Sequence, residues 1–372
     1  MDGARGLALI GLMIVHVLPP EDYDFEPTVL WQIFAGHSAA LFALLAGVSL
    51  AFGSGGRHPV KGTALRAARA SVAVRAALIL AVGLAIGYAP TPVSIILPYY
   101  GVMFLLAVPL LGLSPRTLAL LAGMTAVAGP IVVQLLRDSL PGPGFNPTFT
   151  SLVTEPLVLV TQLLLTGEYP AVPYMAYLCA GLAIGRLDLG SRRVQLRLML
   201  SGGVLAAATW LLSVLLLGPL GGMKRLAEAS PELSSEAIRR ILVWGPEGRL
   251  PTTSLWWQVV LAPHSTTVLE KLNTVGTSMA ALGAVLLLSR IAASELAPLA
   301  ALGSMTLTLY SAHLLVLSTG FLANQPSGSL LIQIALATVF AFQWRRGHAN
   351  GPLEGLVAAA TKRTRDRVLA AG

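Results

Sequence analysis

Ten apolar stretches divide this chain, most of them close to the ~20 residues that a helix needs to cross ~30 Å of hydrocarbon. They run over residues 4–18, 30–52, 71–88, 93–113, 117–136, 171–184, 198–217, 269–289, 298–319 and 327–344. The first and sixth are short. A mean hydropathy of +0.74 with 11% charged residues is far from the composition of a soluble domain. The expected fold is all-α, a polytopic membrane helix bundle of about ten transmembrane helices. An integral-membrane domain is expected over 1–345 and a basic cytoplasmic tail over 346–372. No A-x-A-like site follows the first apolar run, so that run is read as a span and not as a cleavable signal peptide.

The loops set the orientation. With the N-terminus in the cytoplasm, the outer segments hold only Arg137, Lys224, Arg225, Arg239, Arg240, Arg249 and Lys271 of the 25 basic residues, and the other 18 lie inside. Acids divide the opposite way; the inner ones are Asp2, Asp188, Glu295, Glu354 and Asp366. This Lys/Arg bias puts both termini in the cytoplasm. The net charge of +8 then belongs to the inner loops of a multi-pass cell-membrane protein and not to a nucleic-acid surface. Residues 362–367 read as a solvated amphipathic stretch at the lipid headgroups.

Residues 53–70 form a basic inner loop and 137–151 a Pro/Gly-rich outer one. In the long outer segment 218–267, Ser230 and Pro231 followed by Glu232 and Glu236 predict a helix start and a short surface helix ending near Leu242. Trp244, Trp256 and Trp257 suit the outer interface. The single Cys179 lies in the sixth span, which excludes an internal disulfide and leaves no Cys/His zinc pattern.

Ionisable groups at membrane depth are costly and mark function by default. Arg5 and His16 are eleven positions apart, which returns a helix to within about 20° and separates them by about 16 Å along its axis. Asp2 precedes Arg5 by three, the spacing of an intrahelical ion pair. His37 is expected about two turns into the second span, beside Ser38. The small residues Gly36, Ala39, Ala40, Ala43 and Gly47 should let this helix approach the first and bring His37 toward His16. His313 ends a hydroxyl-rich run, residues 303–313, that includes Tyr310. His264 stands before the eighth span in Pro263-His264-Ser265-Thr266-Thr267, with Glu270 following and a helix cap among the hydroxyls. His58 and His348 lie on the inner side. Singly, each outer histidine has an ordinary structural reading. Four of them toward one side point to a shared cavity able to transfer protons. No H-x-x-x-H spacing supports a metal, and none is expected.

Asp2-Gly3-Ala4-Arg5-Gly6-Leu7-Ala8 followed by His16 resembles the opening of the transmembrane acyltransferase superfamily. The nearest branches are the heparan-alpha-glucosaminide N-acetyltransferase-like proteins and the bacterial DUF418 (YeiB-like) proteins, with the acyltransferase-3 family more distant. Residues 41–49, Pro263-His264-Ser265, Met305-Thr306-Leu307-Thr308-Leu309-Tyr310 and Gly351-Pro352-Leu353-Glu354 are similar to later motifs of the same branches. The likeness therefore spans nearly the whole chain. It implies an acyltransferase domain over 1–345 that moves an acetyl or other acyl group from cytoplasmic acyl-CoA to an acceptor across the membrane. In the N-acetyltransferase branch the acceptor is a glucosamine amine. There the active histidine can sit between the first two spans, but 19–27 has none here, so His16 or His37 would serve.

The resulting expectation is an acetyl-CoA-dependent transferase acting on an amino sugar or sugar hydroxyl of a glycan or glycolipid. Arg5, Arg66, Arg69, Arg75 and Arg186 would meet the CoA phosphates. His16, helped by His37, would be the base or acyl carrier. Hydroxyls near His313 would face the oxyanion, with Asp2, Ser38, His264, Glu270, Tyr310 and His313 in support. The rival reading is a transporter or flippase for a small polar or lipid-linked solute; a third is a structural membrane subunit. The oligomeric state stays open, a homodimer included.

Overall fold

The computed structural model describes residues 1–371. It is 72% helical, and no strand occurs among the described residues. In order the helices are α1 (Asp2–Val17), α2 (Val29–Phe34), α3 (His37–Gly53), α4 (Gly62–Ile86), α5 (Leu97–Ala107), α6 (Pro115–Leu136), α7 (Phe149–Thr154), α8 (Pro156–Thr161), α9 (Ala171–Gly185), α10 (Arg192–Leu217), α11 (Gly222–Ala229), α12 (Ser235–Trp244), α13 (Val268–Leu288), α14 (Ala297–Gly303), α15 (Thr306–Ser318), α16 (Pro326–Arg345) and α17 (Pro352–Ala370). Six helical segments are long and apolar enough to span a membrane, or seven if the bent pair α14 and α15 is one span. This falls short of ten. The expected spans at α1, α5 and α9 are helices of 16, 11 and 15 residues.

Small residues decide the packing. Gly47 of α3 lies against the Leu178 carbonyl of α9, and Gly181 of α9 against the Leu44 carbonyl of α3, so a methyl group at either would collide with backbone. The small-residue stripe of α3 is therefore shared: Ser38 rests against Gly11 of α1, while Gly47 serves α9. Gly6 and Gly303 join α1 to α14 in the same way. α9 is buried along its whole length at the centre of the bundle. α10, apolar enough to span a membrane, buries little of its surface.

Two expected spans are broken. The second is interrupted at Gly36, whose φ of 73° suits glycine; His37 opens α3 and still lies about two turns into the segment Val29–Gly53, which counts as one span. The ninth bends by 81° between Gly303 and Thr306. That bend frees backbone N–H groups at the start of α15, and a carboxylate from α17 satisfies them. Glu354 Oε1 accepts from Leu307 N–H at 2.7 Å and Thr308 N–H at 3.1 Å, and Oε2 accepts from the Thr308 hydroxyl at 2.5 Å. The surface helix α12 starts later than expected, capped by Ser234; Ser230 instead ends α11 and bonds the Thr253 hydroxyl at 2.6 Å. The apolar turns α7 and α8, continued by a π-helical turn Gln162–Thr166, had no counterpart among the expected spans.

Candidate functional site

α1 carries one polar group near each end. Arg5 donates to Asp2 Oδ1 at 2.9 Å and to the Ser49 hydroxyl of α3. His16, in the last turn, lies with Nδ1 3.2 Å from His313 Nε2. The two rings are stacked, 5.4 Å apart and 9° from parallel. Beyond them His313 Nδ1 is 2.7 Å from Gln333 Oε1, and Gln333 donates its amide to the Ser329 hydroxyl at 3.0 Å. This chain fixes the protons. An amide oxygen only accepts, so in the neutral ring His313 carries its proton on Nδ1 and its Nε2 accepts. His16 must then donate through Nδ1, which leaves His16 Nε2 as the unprotonated nitrogen.

A cavity of about 360 Å³ is lined by Arg5, Ser49 and Arg75 and also by Tyr310, between apolar walls such as Leu45, Ile96 and Phe104; His16 and His313 are not in its lining. The Tyr310 ring is 6.3 Å from that of His16. Its hydroxyl accepts from Ile96 N–H at 3.4 Å, leaving its own proton free to donate. Of the hydroxyls expected to face an oxyanion, Thr308 is engaged on Glu354 and Ser304 on the Ala301 carbonyl at 2.7 Å, whereas Ser311 is buried with no hydrogen-bond partner and Thr306 lines the cavity.

Of the five arginines expected at a donor's phosphates, two line the cavity. Arg75 stands over the Phe104 ring at 5.4 Å, and its Nε has no hydrogen-bond partner. Arg69 donates to the Pro109 carbonyl at 3.0 Å, and Arg66 to the Thr63 hydroxyl at 3.1 Å at the surface. Arg186 is buried and donates to the carbonyls of Ala51, Ser54, Gly56 and Leu111 and to the Ser54 hydroxyl, tying the end of α3 to the turn after α5. A guanidinium with that many internal acceptors ties these elements together.

His37 is a correction. Its Nδ1 is 2.9 Å from the Thr277 hydroxyl, so its partner is α13 and not His16. Nearby on α13, Glu270 and Lys271 are both buried and pair at 2.8 Å. Tyr177 donates to Glu270 at 3.4 Å, and the Lys271 ammonium lies 4.4 Å from the Tyr174 ring. Ser38 is buried with no hydrogen-bond partner.

His264 has a partner that hydropathy does not reveal. Its Nδ1 is 2.8 Å from Glu168 Oε1, the ring meets Tyr169 edge-on, and it lies close enough to His16 for their charges to interact. Burial pulls the His264 imidazole down, but the Glu168 charge outweighs it and holds His264 above its ordinary value. Burial likewise pushes Glu168 up, and His264 brings it below the usual carboxylate range. The side chains are half-buried. His264 at φ 57° and the β-branched Thr266 at φ 51° are both left-handed, strain of the kind that gathers at sites held for function. Thr267 supplies the expected cap, accepting from Glu270 N–H at 3.2 Å. Among the described residues, no group of three or more His, Cys, Asp or Glu side chains is placed to hold a metal ion.

Residues 1–214, more than half of the chain, match the family described as heparan-alpha-glucosaminide N-acetyltransferase, catalytic. The chain belongs to that family. No curated protein matches it in sequence. Membership in the heparan-alpha-glucosaminide N-acetyltransferase family makes this a membrane protein of acetyltransferase type. The matched part contains Arg5, His16, Arg75 and Glu168; His264, Tyr310, His313, Gln333 and Glu354 come from the part beyond it. Gln333, Glu168 and Lys271 were not singled out from sequence, because each gains its meaning from a partner far along the chain.

Proposed function

We propose that the protein is a cell-membrane acyltransferase that carries an acetyl group from cytoplasmic acetyl-CoA to an acceptor on the far side. The observation that carries this reading is a cavity lined by Arg5 and Arg75 that also reaches Tyr310, whose ring lies 6.3 Å from that of His16. The acylated pantetheine arm would lie along the Arg5–His16 face of α1, with CoA phosphate near the two guanidiniums. Acyl transfer requires a base, a group for the developing oxyanion and a proton for the leaving thiolate. His16 Nε2 would take the proton of an acceptor amine or hydroxyl as its nitrogen or oxygen attacks the thioester carbonyl. Tyr310 would donate to the oxyanion. The C–S bond then breaks, and the imidazolium of His16 returns the proton to the thiolate.

His313 and Gln333 would act through His16 by holding its tautomer. The His264–Glu168 pair would sit at the acceptor side, where a half-buried charged pair can orient an amino sugar. A groove of about 580 Å³ between α15 and α16, apolar but with His313 and Gln333 in its lining, favours a glycolipid over a free glycan. The test is transfer of radiolabelled acetyl from acetyl-CoA to glucosamine-type acceptors, free and lipid-linked, by the purified protein in proteoliposomes. Transfer is expected. Wild-type protein that neither binds acetyl-CoA nor transfers acetyl would overturn the reading and return the chain to the transporter alternative.

A further inference from the structure

The cavity suits one end of a donor as long as coenzyme A. At about 360 Å³ it lies near the low end of small-molecule pockets, which run from about 300 to 1,000 Å³. It has room for an acylated pantetheine arm, with the nucleotide outside it. Where the nucleotide lies follows from which element forms the floor beside the arginines. Glu354, Val357, Ala358 and Thr361 of α17 line the cavity there, positions that share one face of the helix. The Ser71 hydroxyl donates to the Thr361 carbonyl at 3.1 Å and holds α17 against α4.

Continued by one turn, that face reaches Arg365. Eleven positions from Glu354, Arg365 returns to within about 20° of it, about 16 Å further along the axis. Lys362 flanks the same stripe, and both side chains are exposed. The one acid among the cavity-lining residues, Glu354, does not oppose an anion, because the backbone N–H groups and hydroxyl at the start of α15 take up its charge.

We propose that Arg365, with Lys362 beside it, seats the ribose phosphate of the donor's nucleotide, beyond the diphosphate at Arg5 and Arg75, so that α17 is the nucleotide platform of the donor site. The assignment rests on the acyl-CoA reading above. The chemistry is recognition of phosphate by a guanidinium fork on the helix face that also floors the cavity. Anionic lipid headgroups offer the same phosphate chemistry, and the experiment separates the two.

Full-length wild type, Arg365→Ala and Arg365→Lys are compared in nanodiscs of phosphatidylcholine alone and with phosphatidylglycerol added. Acetyl-CoA affinity is measured by calorimetry. Acetyl transfer is measured with acetyl-CoA and with acetyl-pantetheine, which lacks the nucleotide. Arg365→Ala is expected to weaken acetyl-CoA binding about tenfold or more in both lipids, the loss of one charge-assisted hydrogen bond. Turnover of acetyl-pantetheine should be unchanged, which also reports an intact fold, and Arg365→Lys should recover part of the affinity. Unchanged acetyl-CoA affinity in Arg365→Ala would overturn the assignment, as would an equal loss with acetyl-pantetheine. A defect confined to discs with phosphatidylglycerol would assign Arg365 to the lipid surface instead. Wild-type protein that uses neither donor would sink the acyltransferase reading itself.

Discussion

At the scale of single residues, the account turns on which nitrogen of His16 is free. The Gln333–His313–His16 chain leaves Nε2 unprotonated, and removing its far end releases the tautomer without touching substrate. Gln333→Leu should lower kcat by about ten- to a hundred-fold with the KM for acetyl-CoA unchanged, and Gln333→Glu should restore part of it. Equal changes in kcat and donor KM would mark Gln333 as merely structural. The His264–Glu168 pair carries a pH signature. His264 is raised above its ordinary value, so its stabilisation is complete below about pH 6.5 and is lost as pH rises through the raised value. Glu168 is lowered, so at the acid end the pair fails as pH falls through that lowered value. The Tm difference between wild type and Glu168→Gln should therefore be largest near pH 6 and shrink in alkali; a difference independent of pH would contradict the pairing. None of these partners was legible in sequence. His16, His264 and His313 stand out as costly groups in apolar surroundings, but Gln333 and Glu168 look like ordinary polar residues until the fold supplies their partners.

At the scale of elements, hydropathy marks where apolar helices lie but not where they break. The runs over 30–52 and 298–319 read as continuous because Gly36 and the Ser304–Met305 junction are small or apolar enough to pass within them. The breaks are set by a left-handed glycine in one case and by a remote carboxylate in the other. Glu354 was quoted within a motif, yet its role as the cap of α15 depends on α17 lying against the bundle. Glu354→Ala leaves the backbone donors of Leu307 and Thr308 without their acceptor and should cost about 1–3 kcal/mol of stability, the cost of a buried unpaired donor. Denaturant unfolding in detergent would show it. A variant as stable as wild type would mean that water or another group caps α15 equally well.

For the whole molecule, the class was legible because composition and run length leave a helical membrane bundle as the solution. The number of spans is less closely fixed: six or seven segments have the length that lipid demands, and buried helices such as α9 are shorter. The orientation expected from the Lys/Arg bias is open to direct test. Gly53→Cys and Gly347→Cys, at positions with open space around them, should be labelled from the cytoplasm, and Glu232→Cys on the exposed surface from outside. The native Cys179 is buried and should stay silent. Labelling of Glu232→Cys from the cytoplasm would invert the donor and acceptor sides.

The proposal that His16 performs the proton transfer, apart from donor binding at the other end of α1, is tested most directly by one variant measured two ways. His16→Ala in proteoliposomes should bind acetyl-CoA with wild-type affinity, because the phosphate-binding end lies about 16 Å away along the helix, and should transfer no acetyl to the acceptor. Full transfer by His16→Ala would contradict the account and move the chemistry to His264 or His313.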